Sequence, residues 1–520
     1  DWSSDVCSSD LMSASNQSGI ARGLYTEADM RRFHSHMQAE LNKNGAHIDA
    51  FYHCPHHADG TVPEFTHANH PDRKPNPGMI RRALAEWPID RTRCFVVGDT
   101  DLDTQAADAV NVFGAKVRGG ELLGAVRAGL ARKPTQTAAH AKELLQTRAA
   151  QAKAWLFDYA LPLWWERGFD CDANCFHERI ALSGEPEAHL PRRVRVQARQ
   201  AVVYARAGQL GWTGPWREAV ETSAQILLTR GLRQDGGTRH MLGADGKPAD
   251  ERRDLYDLAF TLFALAEAQK VLGNRPDIAG AAESLIGWAE ANWAHPAGGF
   301  REGDLTPTPP RRQNPHMHMF EALLALHAAT GKSEHLARAS KIAAVFANKF
   351  FNQRHGALPE YFDDSWRADA DAIVEPGHHF EWSWLLHKWN AAGGGDLSSI
   401  AERLRVHGEV YGVELSSGAV FDEVHPDGRP RTQTSRLWPH TERIKANVIR
   451  YERTRDPEAA HAAAQAFDML MRYCDTPTKG LWRDRRLADG SFIEEAAPAS
   501  SFYHIMFACD ELIRVAGALD

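Results

Sequence analysis

Residues 254–273 read DLYDLAFTLFALAEAQKVLG, and their spacing decides the fold of most of the chain. Leu255, Leu258, Ala259, Leu262 and Ala266 recur three or four residues apart, the interval that lines side chains along one face of an α-helix. The spacing predicts a helix packed along that face. Outward from it, similar segments come in pairs. RVRVQARQAVVYARA runs through GQLGWTGP into WREAVETSAQILLTRG, and the helix quoted above runs through GNRPD into IAGAAESLIGWAEANW. MHMFEALLALHAAT leads to EHLARASKIAAVFANKFF, FEWSWLLHKWNAAGGG to SSIAERLRVHGEVYG, and RIKANVIRYERTR to PEAAHAAAQAFDMLMRYC. A helix around 152–165 and one around 501–515 complete a sixth hairpin.

Between the hairpins lie HPAGGFREG, RHGALPEYF, SSGAVFDEVHPDG and KGLWRDRRLADGSF, each with glycine near an aromatic or apolar residue. These spacers are longer and less regular than the turns of an open helical-repeat array. They favour a closed toroid, an all-α (α/α)6 barrel, whose loops gather on one rim and build a site there.

A chain of 520 residues is too long for one ordinary core, so more than one domain is expected. Hydrophobic residues at 43% and charged residues at 25% fit a globular enzyme. A net charge of -8 with no concentrated Lys/Arg stripe argues against nucleic acid as partner. No run of about 18 apolar residues calls for a membrane, and no basic-then-apolar leader marks secretion. The expected compartment is the cytoplasm. Seven cysteines, an odd number thinly spread, do not form a disulfide framework. Asp1 to Leu11, DWSSDVCSSDL, reads as a non-native leader. Residues 12–130 form a first domain, 131–139 a linker around Pro134, and 140–520 the helical domain.

Three segments of the first domain, NQSGIARG, YHCPHHADGTVPEF with RKPNPGM, and FVVGDTDLD, resemble the haloacid-dehalogenase-type (HAD) phosphatases that act on heptose bisphosphate or histidinol phosphate. The resemblance implies an α/β domain in which Ser15 hydrogen-bonds a phosphoryl group, Lys74 neutralises it, and Asp99 with Asp103 holds Mg2+. Relatives of this type bind zinc through a Cys-x-His pair, here Cys54 and His56, and a later Cys-x-Cys pair. His70 and Asp72 stand in for the latter. A zinc site and a metal-free His-rich loop are equal readings of that segment. The family's nucleophilic DxDGT segment is absent, so the domain reads as truncated and no phosphatase activity is expected of it. Its sheet is expected to lack an inner strand and expose an edge.

In the helical domain, RRVRVQARQ, NPHMHMFEA, EPGHHFEWSWLL, RLWPHTERIKA and SSFYHI place His, Glu, Arg and Trp at helix starts. Their order resembles the N-acylglucosamine 2-epimerase family, which includes mannose isomerases and cellobiose 2-epimerases. The resemblance spans residues 140–520 and implies the same barrel. It implies that His378 and His504 exchange protons with a sugar, and that Arg199, His318, Glu321, Glu381 and Glu442 bind it. Tyr256, Asn314 and Trp438 are expected wall residues. Glu381 would orient His378 or bind a hydroxyl, and His440 stands where many relatives have Gln, a departure that bears on substrate. His316 and His379 read equally as packing groups.

The chemistry expected is aldose–ketose isomerisation of a mannose-type sugar, free or phosphorylated, through an enediolate stabilised by Arg199 and without a cofactor. Arg311 and Arg312 would clamp a phosphate or form a solvated pair. The alternatives are a 2-epimerase of an N-acylhexosamine or disaccharide, and a catalytically silent carbohydrate-binding protein. A homodimer is left open.

Overall fold

The computed structural model describes all residues except 1–9, 88–93, 111, 118–121, 131–136, 274, 370, 415–416 and 520. Most of the expected leader and linker fall outside the described residues. The chain divides into two compact units, Asp1–Thr137 and Ala138–Asp520.

In the N-terminal unit, strand Met12–Asn16 pairs in parallel with Ala50–Cys54, and Phe95–Gly98 pairs in parallel with Phe113–Lys116. Parallel strands need a crossover, supplied here by helices Glu27–Asn42 and Asp101–Asp108. The first begins with a capping box in which Thr26 and Asp29 satisfy each other's backbone N–H groups. Ile80, Leu84, Ala106, Ala107, Val110 and Val112 form a small core.

In the C-terminal unit, six inner helices close a ring: Val194–Gln209, Leu255–Leu272, Asn314–Thr330, Pro376–Ala391, Trp438–Thr454 and Ala499–Ala518. Each packs on the next and the last returns to the first. Outside them run Trp216–Ile226, Pro276–Trp293, Ser333–Val345, Ser398–Tyr411 and Pro457–Tyr473, each joined to its inner partner as a hairpin. Thr137–Trp155 and its continuation through Leu161–Glu166 supply the sixth outer element. Lys142 donates to the Leu519 carbonyl at 2.5 Å, and Trp164 packs against Phe502.

The helix that opened the reading differs from expectation in one respect. Leu255, Leu258, Ala259, Leu262 and Ala266 are fully buried, but so are Phe260 and Leu265 between them. A helix of the inner ring is covered on every side, by the outer helices, by its neighbours and by the residues around the axis. Its sequence is therefore apolar all round rather than striped.

Candidate active site

The site is set by a register that repeats around the ring. Five inner helices are entered from a short antiparallel pairing of the preceding residues: Arg192 with Leu242, Arg311 with Phe362, Val374 with Val424, Ser435 with Arg486, and Ala497 with Ile180. Counting from each of these, the fifth residue on is Gln197, His316, His379, His440 or Phe502, and the seventh is Arg199, His318, Glu381, Glu442 or His504. Two residues on a helix turn through about 200°, so the two sets point in opposite directions.

In four of these five the fifth residue anchors the segment that leads into its own helix. The Phe300, Leu358 and Val420 N–H groups donate to Nε2 of His316, His379 and His440 at 2.9, 2.7 and 3.0 Å. Gln197 does the same with both its amide atoms, accepting from Phe176 N and donating to Phe176 O. These histidines are structural. The expectation that His440 bears on substrate is therefore corrected: it is fully buried, with Nδ1 3.0 Å from the Arg436 carbonyl. A glutamine can accept the same N–H, so His440→Gln should keep wild-type kinetics, whereas His440→Ala should lose about 1–3 kcal/mol of stability through the orphaned Val420 N–H. Urea unfolding alongside initial rates checks both.

The seventh residues converge with His378 and Trp438. His378 and His504 both lie beside the Trp438 ring, with centroids 4.8 and 5.6 Å from it. Trp438 can lie there because residue 377 is glycine: a Cβ at that position would sit 2.4 Å from the indole. Both histidines are held by a carboxylate at Nδ1. His378 is 2.8 Å from Glu360 Oε1, and His504 is 2.8 Å from Glu442 Oε1. Of the two roles that the sequence leaves to Glu381, orienting His378 or binding a hydroxyl, the first belongs to Glu360, which comes from the loop RHGALPEYF and is itself held by Gln313 Nε2 at 3.0 Å.

The two dyads look alike and are charged differently. Burial works against a proton on His378, but Glu360 and Glu375, 2.8 and 3.8 Å away, outweigh it and hold the pKa up at about 9. Burial lowers His504 well below the ordinary histidine range, and Arg199 and Lys445 push the same way. Its partner Glu442 is already engaged by the Lys445 ammonium at 2.5 Å. At neutral pH His378 is therefore an imidazolium and His504 a neutral imidazole.

Around them, Arg199 donates to the Tyr256 hydroxyl at 2.8 Å and to the Ser500 carbonyl at 2.9 Å, with its guanidinium 4.1 Å over Phe260. His318 lies 3.2 Å from Glu321 and is held neutral, near pKa 4, chiefly by burial. The Tyr503 hydroxyl, absent from the sequence reading, donates to Glu321 at 2.6 Å. Burial and Glu442 raise the Glu381 carboxyl well above its usual range. Neither of its oxygens has a hydrogen-bond partner among the described residues, and neither has Asn314 Oδ1. Both residues therefore offer polar atoms to a ligand. Arg311 does not: it is buried on Asp364 and the Thr306 and Pro307 carbonyls, which removes it as a phosphate clamp. Arg312 is paired with Glu302 at 2.5 Å. Acidic and imidazole atoms of Glu381, Glu442 and His504 converge within 4.8 Å. The positive charge of that cluster is the Lys445 ammonium.

In the N-terminal unit, Ser15 and Lys74 come together at the end of the first strand. Gln17 donates to Ser15 Oγ at 2.9 Å, and Lys74 Nζ donates to the Ala14 carbonyl at 2.7 Å and contacts Asp103. Asp103 Oδ2 also accepts the Thr100 N–H and hydroxyl at 3.0 and 2.7 Å. It is committed to a helix cap and to Lys74, leaving Asp99, just after strand Phe95–Gly98, as the carboxylate that would hold Mg2+. Cys54 Sγ and His70 Nδ1 are 3.7 Å apart, near the roughly 3.6 Å between two ligands of tetrahedral zinc. His56 stacks on His70 at 4.0 Å, and Asp72 turns to Arg82 at 3.3 Å. Cys54 and His70 are thus the pair whose ligand atoms approach, and His70 Nδ1 already accepts the Asp72 N–H at 3.1 Å.

The chain resembles two sets of known proteins. A HAD-hydrolase-like family model matches residues 72–144. The D-glycero-beta-D-manno-heptose-1,7-bisphosphate 7-phosphatase of Rhodopseudomonas palustris is 45% identical over 107 residues, covering 21% of this chain and 59% of its own length. The N-terminal unit is similar to these HAD-type proteins and spans little more than half of that relative. The larger unit is similar to the mannose-6-phosphate isomerase of Rhizobium meliloti, at 41% identity over 383 residues, 71% of this chain and 97% of the relative. Among solved structures, a D-mannose isomerase superposes with a TM-score of 0.63 at 21% identity, covering 71% of this chain and 97% of that one. The cellobiose 2-epimerase of Spirochaeta thermophila gives 0.64 at 22% identity, covering 72% and 98%. With the N-acylglucosamine 2-epimerase family model matching residues 175–508, the chain belongs to that family of sugar isomerases and epimerases.

Proposed function

We propose that the protein is an aldose–ketose isomerase of mannose or mannose 6-phosphate, working through a cis-enediolate with His504 as base and His378 as acid. The observation that carries this reading is the pair of His–carboxylate dyads, alike in geometry and different in charge, that meet at Trp438. Environments that push two titrating groups apart assign acid and base. His504, donating Nδ1–H to Glu442, presents Nε2 as an acceptor and removes the C2 proton of the open-chain aldose. The His378 imidazolium donates to the carbonyl oxygen as charge develops there, and Arg199 supports the same oxyanion. Return of the proton from His504 to C1, as the O2 hydroxyl passes its proton to His378, gives the ketose and restores both histidines. Glu381, whose oxygens have no hydrogen-bond partner among the described residues, binds a sugar hydroxyl. No cofactor enters any of these steps.

The choice of mannose over an N-acylated sugar rests on the 41% identical relative, whose name is mannose-6-phosphate isomerase. The test is incubation in deuterated water with mannose, fructose, mannose 6-phosphate and N-acetylmannosamine, with products followed by NMR. Deuterium at C1 of the ketose with mannose or its 6-phosphate supports the reading. Exchange only at C2 of N-acetylmannosamine would make the protein an epimerase, and binding without exchange would make it a carbohydrate-binding protein.

For the N-terminal unit we propose a phosphate-site remnant without turnover. Ser15, Lys74 and Asp99 are present, but residues 1–520 hold no Asp-x-Asp-Gly-Thr segment to form an aspartyl-phosphate. With Mg2+ and heptose 1,7-bisphosphate, the 520-residue chain is expected to release no inorganic phosphate above a protein-free blank.

A further inference from the structure

A lysine at the axis of the barrel is unaccounted for by the chemistry above. Lys445 is fully buried, one helical turn below Glu442 on the fifth inner helix. Its ammonium is 2.5 Å from Glu442 and 4.0 Å from Glu381, and it lies 4.1 Å over the face of Trp384. Carrying a charged amine into a helical core costs free energy unless it is paired, so its position calls for a reason. That reason lies in the comparison of the two dyads. Glu360, which faces His378, is held by the neutral amide of Gln313, whereas Glu442, which faces His504, is held by a full positive charge. A carboxylate free to give all its attraction to an imidazole keeps a proton there; one neutralised by an ammonium does not.

We propose that Lys445 is a positioning residue that fixes which histidine is the base: it holds Glu442 charged and hydrogen-bonded to His504 Nδ1 while preventing the dyad from taking a second proton. The inference rests on the enediolate reading of the same site. The charged and titrating groups facing Lys445 are Glu442 on its own helix, Glu381 on the fourth, Glu321 on the third, and His504 on the sixth. With the ammonium gone, two responses are open to the Glu442–His504 pair. Either Glu442 stays ionised and draws a proton onto His504, or burial protonates Glu442 itself. Both add a proton to the dyad at a higher pH than before, and both disable the base.

The experiment is the pH dependence of kcat/KM for Lys445→Met and Lys445→Arg, using the substrate that gives exchange with the unaltered enzyme. For Lys445→Met the acid limb should move toward neutrality, so that activity at pH 6 falls about tenfold or more relative to pH 8. KM and the alkaline limb, which belongs to His378, should stay in place. Lys445→Arg, which keeps the charge, should return the acid limb most of the way. An acid limb that stays put in folded Lys445→Met protein, or one that moves together with the alkaline limb, overturns the proposal. If Lys445→Met does not fold, an unchanged profile in Lys445→Gln overturns it as well. Absence of exchange in the unaltered protein would instead sink the enediolate reading on which it rests.

Discussion

His504→Ala is expected to lower kcat/KM by about 10²–10⁴-fold, the range that general-base catalysis supplies, and to stop solvent deuterium from entering either C1 or C2. The expectation follows from the charge of the dyads. At neutral pH only one of the two histidines beside Trp438 has a free lone pair, because Glu360 and Glu375 keep His378 protonated while burial, Arg199 and Lys445 keep His504 neutral. Removing His504 leaves no neutral imidazole able to replace it. His318, also neutral, has Nδ1 taken up against Glu321 and its ring 5.0 Å from Tyr256, within a different part of the wall. A shortened side chain at 504 also leaves Glu442 bound only by Lys445 and Thr441, a pairing that stays internally balanced, so the variant should fold. His504→Asn is the useful companion: its amide can still donate to Glu442 but cannot act as a base. If either variant, folded, retained exchange within tenfold of the unaltered enzyme, His504 would not be the proton acceptor.

Much of this was legible in the residues before any coordinates. Hairpin pairing followed from helical spacing, and the ring followed from spacers too long for an open array. The seventh-residue set Arg199, His318, Glu381, Glu442 and His504 stood out because polar residues at the start of apolar helices need a reason to be there. What stayed hidden falls into two kinds. Glu360 and Tyr503 act across the chain: Glu360 reaches His378 from a loop 18 residues earlier, and Tyr503 reaches Glu321 over 182 residues. No local pattern distinguishes such a residue from a solvated acid or a core aromatic. The histidines at 316 and 379 stay ambiguous, and His440 misleads, for the opposite reason. They adjoin the functional positions, and only the register shows that a step of two residues along a helix turns a side chain from the axis to the loop. Aligning the pairs RRxxxQxR, RRxxxHxH and SRxxxHxE would have exposed that register in the sequence itself.

The second large effect is expected at Glu360. Glu360→Gln keeps the shape of the side chain and removes its charge, and His378 is then left chiefly with Glu375, 3.8 Å away and shared with Arg436 at 3.0 Å, to hold its proton. Burial, the largest influence on His378, acts to expel the proton. The alkaline limb of kcat/KM, set near pH 9 in the unaltered enzyme by His378, should therefore move toward neutrality, with a loss of about tenfold or more at pH 8 and much less at pH 6. Stability has the same sign. A histidine whose folded pKa is about 9 against 6.5 unfolded stabilises the fold fully below pH 6.5, and that contribution disappears as pH rises through 9. Urea midpoints of the unaltered protein should fall across that window, and those of Glu360→Gln should be lower at pH 6 and flatter toward pH 9. The two limbs thus answer to different carboxylates, the acid limb to Glu442 with its lysine and the alkaline limb to Glu360 without one. A Glu360→Gln enzyme with an unmoved alkaline limb would mean that His378 is not the acid, whatever its place beside Trp438.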